Sequence, residues 1–189
     1  MPNKAASGDA IPAKCALIEV HVRELGQLFN MIDPSSFHDR DLDPNAEQFI
    51  ESWAKELPRG APLALLVHLD RPSGSDDAAV LRDSVRQFFG RSADAARRRL
   101  RELFRRGRIS LIIALAFMIA LSELSRLLTG VVPGRFGDIL REGLLIGGWV
   151  AMWRPIEVFL YDWWPIRAQA RLYDRLAAMP VRIEYSDRT

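Results

Sequence analysis

The chain has 189 residues, of which 49% are hydrophobic, and a formal net charge of +2. This length allows one modest globular domain beside a pair of membrane helices. A single cysteine, Cys15, excludes an intramolecular disulfide and a metal site built from several cysteines.

The amino-terminal third predicts a strand and then a capped helix. Residues 1–14 are rich in Pro, Ala, Gly and Ser and predict a disordered tail. Residues 15–22 alternate apolar and polar side chains as a strand does, whereas residues 23–32 fit either its continuation or a short helix. Asp43 before Pro44 is a typical N-cap with proline at the first helical position, so we predict a helix over residues 44–57.

The next segments complete a predicted cytoplasmic α/β domain over residues 15–90. The nearly continuous apolar run 62–69 is typical of a central strand covered on both faces. A long helix is predicted to begin near Asp76. Gly90-Arg91-Ser92 is a candidate break, after which Ser92 or Asp94 caps a basic juxtamembrane helix over residues 91–108.

Two apolar stretches, Ile109–Leu128 and Leu140–Tyr161, are joined by a short turn rich in Gly and Pro. A helix of about 20 residues spans about 30 Å, the thickness of the bilayer hydrocarbon. Arginines flank the outer ends of both stretches, as the positive-inside rule expects of the cytoplasmic side, and a tryptophan cluster resembles an aromatic belt. We predict a transmembrane helical hairpin over residues 109–164, with both termini cytoplasmic. The alternative is a buried helix of a soluble protein, since the clean apolar part Leu111–Leu121 is shorter than a full span.

Small residues predict how the two helices of the hairpin pack. They recur four residues apart, which places them on one face of each helix and lets the backbones approach closely. The residues are Gly143, Gly147 and Ala151 on the second helix, and Ala116 and Ala120 on the first.

Five charged residues fall at predicted membrane depth, and we treat them as candidate functional groups. They are Glu123, Arg126, Arg141, Arg154 and Glu157. At about 1.5 Å of rise per residue, Glu123 and Arg154 lie about 13 Å apart in depth and do not pair. Glu123 is expected to meet Arg126 or Arg141, and Arg154 to meet Glu157. The alternative to these local pairs is a transport path or a site for lipid headgroups.

After the hairpin, residues 165–179 predict an amphipathic basic helix and residues 181–185 a last strand, which together return to the cytoplasmic domain. Two strands before the hairpin and one after it can join one sheet only if both ends of the hairpin lie on the same side. The predicted fold is therefore α+β: a transmembrane helical hairpin plus a small cytoplasmic α/β domain. Helix 44–57 would be the right-handed crossover of that domain.

Two groups of residues are candidates for binding chemistry. In the acidic cluster at residues 38–43, Asp39 and Asp41 could hold a hard cation, although the EF-hand pattern fails and a solvated turn with a helix cap explains the cluster better. His21 and His68 lie on strands predicted to be adjacent and could face each other. We interpret them as ordinary sheet histidines, with a catalytic or metal-binding pair as the alternative. Common catalytic and nucleotide-binding motifs are absent from the sequence, so no catalytic residue and no cofactor is predicted.

The stretches LFNMIDPSSFHDRDLDPNAEQFIESWAKELP and REGLLIGGWVAMWRPIEVFLYDWWPIR carry a resemblance that covers most of residues 20–182. They resemble a family of small bacterial proteins that combine a cytoplasmic α/β part with two membrane helices. The resemblance implies a location in the cell envelope and supplies no catalytic residues.

Together with the resemblance, these observations give as the leading hypothesis a non-enzymatic integral protein of the bacterial inner membrane whose cytoplasmic domain binds a ligand or partner. One alternative is an oligomeric transporter or channel subunit lined by Glu123 and Arg154, and another is a headgroup-level membrane enzyme that uses Asp39, Asp41 and Arg154. The expected partners are the bilayer, through anionic headgroups at the arginine clusters, and a second copy or another membrane protein. Nucleic acid is not expected, because the arginines lack an aromatic stacking platform.

Overall fold

The computed structural model describes residues 6–30, 41–58, 60–71, 77–132 and 134–185. The chain divides into two compact units. We call residues 1–95 together with 169–189 the sheet unit, and residues 96–168 the helical unit.

A four-stranded mixed sheet forms the centre of the sheet unit. Its strands are β1 (Ala6–Gly8), β2 (Ala16–Val22), β3 (Leu63–Leu69) and β4 (Val181–Tyr185), in the order β1-β4-β3-β2. β3 pairs in parallel with both β2 and β4, whereas β1 pairs antiparallel with β4. Six of the seven residues of β3 are buried, which confirms the prediction of a central, covered strand. The predicted last strand is also confirmed, and it lies inside the sheet.

The helices account for most of the remaining described residues. They are α1 (Pro44–Glu56), α2 (Asp77–Val131), α3 (Arg135–Glu157) and α4 (Trp163–Ala177), with a 3-10 turn at Leu25–Leu28 and a π-helical turn at Val158–Asp162. The mixed α+β class is therefore confirmed. α1 begins where the sequence predicts, because the Asp43 carboxylate accepts a hydrogen bond from the backbone N–H of Asn45 at 2.9 Å.

The prediction of a disordered tail is wrong for Ala6–Gly8, which form β1 at the edge of the sheet. Asp9 fixes this segment, since its backbone N–H donates to the Val181 carbonyl at 2.9 Å and its carboxylate lies 3.2 Å from the Arg82 guanidinium. Gly8 has a φ of +112°, and a Cβ there would lie 2.6 Å from the Val181 oxygen, so this close approach requires glycine.

The predicted break at Gly90-Arg91-Ser92 is also wrong, because α2 is continuous through it. Ser92 and Asp94 consequently lie inside the helix and do not begin one. Glycine in a helix interior costs about 1 kcal/mol. Full burial of Phe89, one residue earlier, is worth about 1.5–3 kcal/mol and offsets that cost.

The core of the sheet unit takes side chains from the sheet and from three helices. Its fully buried residues include Ile18, Leu65, Val67 and Ile183 of the strands, and Ile50, Leu81, Val85, Phe89 and Leu176 of the helices. Tyr173 of α4 stacks on Phe89 of α2, with 6.1 Å between ring centroids, and its hydroxyl lies 3.4 Å from the Glu51 carboxylate of α1. Helices that are distant in sequence therefore meet around this tyrosine.

The helical unit contains an antiparallel pair formed by α2 and the segment that begins with α3. A Cβ placed on Gly148 would lie 3.3 Å from Met118, and one placed on Gly107 would lie 2.7 Å from Val158. Residues nearer the start of α2 therefore contact residues nearer the end of the second segment, as in a hairpin. Phe104 and Phe159 extend the contact with rings 6.1 Å apart.

Candidate functional site

The two histidines of the described strands meet on the more exposed face of the sheet. His21 of β2 and His68 of β3 are direct partners in the parallel register. Their rings stack with centroids 4.2 Å apart and planes inclined by 14°. This geometry confirms the prediction that the two residues could face each other.

Two glutamates flank His68 on the same face. Glu19 lies two residues before His21, and its Oε2 is 3.7 Å from His68 Nε2. Glu184 is the register partner of His68 on β4, and its Oε2 is 3.9 Å from His68 Nδ1. One carboxylate therefore faces each nitrogen of a ring that is only 14% exposed.

Each of Glu19, His21 and His68 offers one ligand atom within 4.8 Å of the others. We call these three residues the His-Glu cluster. Imidazole nitrogens and carboxylate oxygens are ligands that zinc and similar divalent ions accept. Sequence reasoning identified the histidines and missed both glutamates. The signal was the two-residue alternation along β2 and β4, but it becomes useful only once the strand register is known.

A shallow cavity of about 260 Å³ borders the cluster. Residues 11–13, Cys15, Leu17, Leu66, Arg182 and Glu184 line it. Cys15, interpreted from the sequence as a small core residue, is half-buried at the cavity wall. Glu184 lines the cavity and also lies 3.9 Å from His68, so the cavity lies next to the cluster.

The acidic cluster falls only partly within the described chain. His38 and Asp39 lie outside the described residues. The Asp41 carboxylate forms an ion pair with the Arg91 guanidinium of α2, and its carbonyl accepts a hydrogen bond from Asn30 at 2.9 Å. Asp41 thus has a structural role in the sheet unit, and cation binding with Asp39 stays a prediction.

The charged residues of the helical unit form local pairs. Arg126 lies 2.9 Å from Glu123, and Arg154 lies 3.1 Å from Glu157, at the spacing of three residues that the sequence suggested. Arg141 pairs with Asp138 at 3.1 Å, a partner that sequence reasoning missed. Arg154 also lies 3.4 Å from Asp162. The location of these pairs at membrane depth stays a prediction.

The structure corrects the predicted packing face of the helix pair. Ala116 and Ala120 are exposed, and a Cβ on Gly143 would meet nothing within 4 Å. Gly147 lies near the contact, since a Cβ there would be 3.6 Å from Leu121, and Ala151 is half-buried. Gly148 lies closer to α2 than Gly143 and Gly147 do, since a Cβ there would be 3.3 Å from Met118. The prediction failed because the contact pairs a glycine with a large side chain, Met118, and a search for small residues on both helices does not find such a pair.

Two helices are long and apolar enough to cross a membrane, one within α2 and the other beginning with α3. Only 11% and 17% of the residues in their apolar windows are buried. A helix in the core of a soluble protein would be mostly buried. By length, composition and burial, both helices suit a membrane protein.

Comparisons with known proteins yield no relative: no family model, no curated protein and no solved structure matches the chain. The resemblance to small bacterial two-helix membrane proteins therefore stays a prediction.

Proposed function

We propose that this chain is a non-enzymatic integral protein of the bacterial inner membrane whose sheet unit binds a ligand or partner in the cytoplasm. The helical unit anchors it as a transmembrane hairpin. The observation that carries the proposal is the large apolar surface of the helix pair. Among its exposed side chains are Ile112, Leu127, Phe136, Trp149 and Val150, each at least 67% exposed. Exposure of so many large apolar side chains to water is unfavourable, whereas acyl chains solvate them.

The position of β4 supports a topology with both termini on one side. β4 follows the apolar helices in the chain, yet it pairs with β3, which precedes them. A folded sheet with strands from both segments requires both segments to be in the same compartment. The arginines at residues 97–108 and at Arg167, Arg171 and Arg175 favour the cytoplasm as that compartment.

The two alternative functions receive less support from the described geometry. Glu123 and Arg154, the candidate pore-lining charges, each pair with a residue three positions along the same helix. Asp41, a candidate for the headgroup-level enzyme, pairs with Arg91. A binding role for the sheet unit fits better, because the exposed sheet face combines histidines, carboxylates and a cavity.

Reporter fusions test the topology. Alkaline phosphatase and green fluorescent protein are each fused after Gly134 and after Thr189, with a fusion after Ala95 as a cytoplasmic control that precedes both apolar stretches. We expect phosphatase activity after Gly134 and fluorescence after Thr189. Phosphatase activity after Thr189, or release of the full chain from membranes by alkaline carbonate, would contradict the hairpin.

A further inference from the structure

We propose that Glu19, His21 and His68 bind one divalent transition-metal ion of the zinc class, and that Glu184 orients His68. The inference rests on the proposed function in one respect, namely that the sheet unit binds a ligand. It identifies that ligand as a metal ion held on the exposed face of the sheet.

The strand register brings the four residues next to one another on one face of the sheet. His21 and His68 are register partners across β2 and β3, and His68 and Glu184 are register partners across β3 and β4. Glu19 precedes His21 by two residues, so both side chains project from the same face of β2. The convergence of these four side chains is therefore a property of the strand pairing.

The separations match a metal site that closes as the ion binds. Zinc bonds of about 2.0–2.2 Å in tetrahedral geometry place ligand atoms about 3.3 Å apart. The ligand atoms of the cluster lie within 4.8 Å of one another, so a closure of about 1.5 Å is sufficient. Ring lone pairs lie in the ring plane, and two nearly parallel rings cannot direct them at one ion. His21 is exposed, so a change of its side-chain rotamer can direct a ring nitrogen toward an ion bound beside Glu19 and His68.

Glu184 is the residue placed to become the outer partner that metal-bound histidines use, after a shift of about 1 Å toward His68. Such a histidine donates its second ring N–H to a carboxylate or carbonyl, which fixes the ring orientation and leaves the other nitrogen for the metal. Glu184 lies 3.9 Å from His68 Nδ1, and Glu19 lies 3.7 Å from Nε2. The arrangement therefore assigns Nε2 to the metal, beside Glu19. The exposure of Glu19 and His21 leaves water access to a fourth coordination position.

The test uses the full chain, purified in detergent through a tag that contains no histidine and stripped of metal with a chelator. Zinc chloride is titrated in by calorimetry, and cobalt(II) is added separately to record the visible spectrum of the bound ion. We expect one zinc ion per chain. His21→Ala should weaken zinc binding at least tenfold, because even outer partners of a metal ligand are worth about 10–100-fold.

Further variants separate the roles of the carboxylates. Glu19→Gln should weaken binding at least tenfold, and Glu184→Gln by about 10–100-fold. Glu24→Gln is the matched control, since Glu24 is exposed, lies 3.6 Å from Arg71 and is not one of the grouped ligands. It should bind zinc as the wild type does. His68 itself is left unchanged, because it is half-buried and its truncation can prevent folding. His21 is exposed, so His21→Ala tests the metal site in a folded chain.

Absence of saturable zinc binding in the wild type, or equal affinity in the wild type and in His21→Ala, would overturn the proposal. Either result would leave the fusion topology unaffected. The two proposals can also fail separately in the other direction. If the fusions exclude the hairpin but His21→Ala still loses zinc binding, the membrane anchor is refuted and the metal site is supported.

Discussion

Truncation of Ile183 tests whether the strand after the apolar helices is an integral part of the sheet. β4 lies between β1 and β3, and Ile183 is fully buried opposite Val67, which is also fully buried. The substitution Ile183→Ala removes side-chain volume at the centre of this core and leaves the backbone ladder intact.

The expected cost follows from the burial. Alanine lacks three of the side-chain carbons of isoleucine, and each buried carbon is worth about 0.8 kcal/mol, which gives about 2.4 kcal/mol for transfer alone. The unfilled cavity adds to this, and truncations of this kind cost about 2–5 kcal/mol. We therefore expect the free energy of unfolding of the sheet unit to fall by about 3 kcal/mol. For a unit of this size, that corresponds to a decrease in Tm of roughly 12 °C.

Thermal unfolding of the full chain in detergent, followed by protease sensitivity of the sheet unit, measures the change. Ile112→Ala is the matched control, because it removes the same atoms from a side chain that is 68% exposed. Substitutions at exposed positions usually change stability by less than about 0.5 kcal/mol. An Ile183→Ala variant that melts like the wild type, or a control that loses as much stability, would refute the placement of β4 in the core.

Two further predictions concern the helix contact and a buried phenol. Gly148→Leu should lower the Tm of the helical unit, because the larger side chain forces apart the helices that meet at Met118, at a cost of about 1–3 kcal/mol. Gly143→Leu is the control and should be tolerated, because a Cβ at Gly143 has no neighbour within 4 Å. Equal melting temperatures of the two variants would contradict this contact. Burial, and then the charge of Glu51, raise the pKa of Tyr173. Its neutral form is favoured in the folded state, so its contribution to stability is complete below the ordinary tyrosine pKa of about 10 and is lost as pH rises through the folded-state pKa. Above pH 10 the wild type should therefore lose stability more steeply than Tyr173→Phe, and parallel curves of Tm against pH would contradict the shift.

Local signals predicted the elements whose causes are local. The buried run of β3 and the N-cap of α1 each depend on residues within a few positions of one another, so the sequence indicated both of them closely. Local signals were not sufficient for the 3-10 turn at Leu25–Leu28 or for β1. A 3-10 turn and a short edge strand have weak intrinsic preferences, and the contact between Arg82 and Asp9 that fixes β1 joins residues 73 positions apart.

Helix continuity and helix packing depend on tertiary contacts that compete with local preferences, and the sequence pattern does not report the strength of those contacts. Gly90 predicts a break when considered alone, but the burial of Phe89 and Ala93 on either side favours continuity. The small-residue pattern indicated a contact through Ala116 and Ala120, yet the contact forms where Met118 packs against Gly148. A large side chain opposite a glycine fills space as well as two alanines do, so a search for small residues on both helices misses it.

The position of Glu184 beside the His-Glu cluster depends on the same alternation that builds the core. Val181 and Ile183 are buried on one face of β4, which places Glu184 on the other face, opposite His68. A slip of one residue in this pairing would bring Glu184 into the core and expose Ile183, at a cost of several kcal/mol. The apolar residues of β4 thus fix the register that positions Glu184 beside His68. The proposed metal site is for this reason coupled to the stability of the strand that follows the apolar helices.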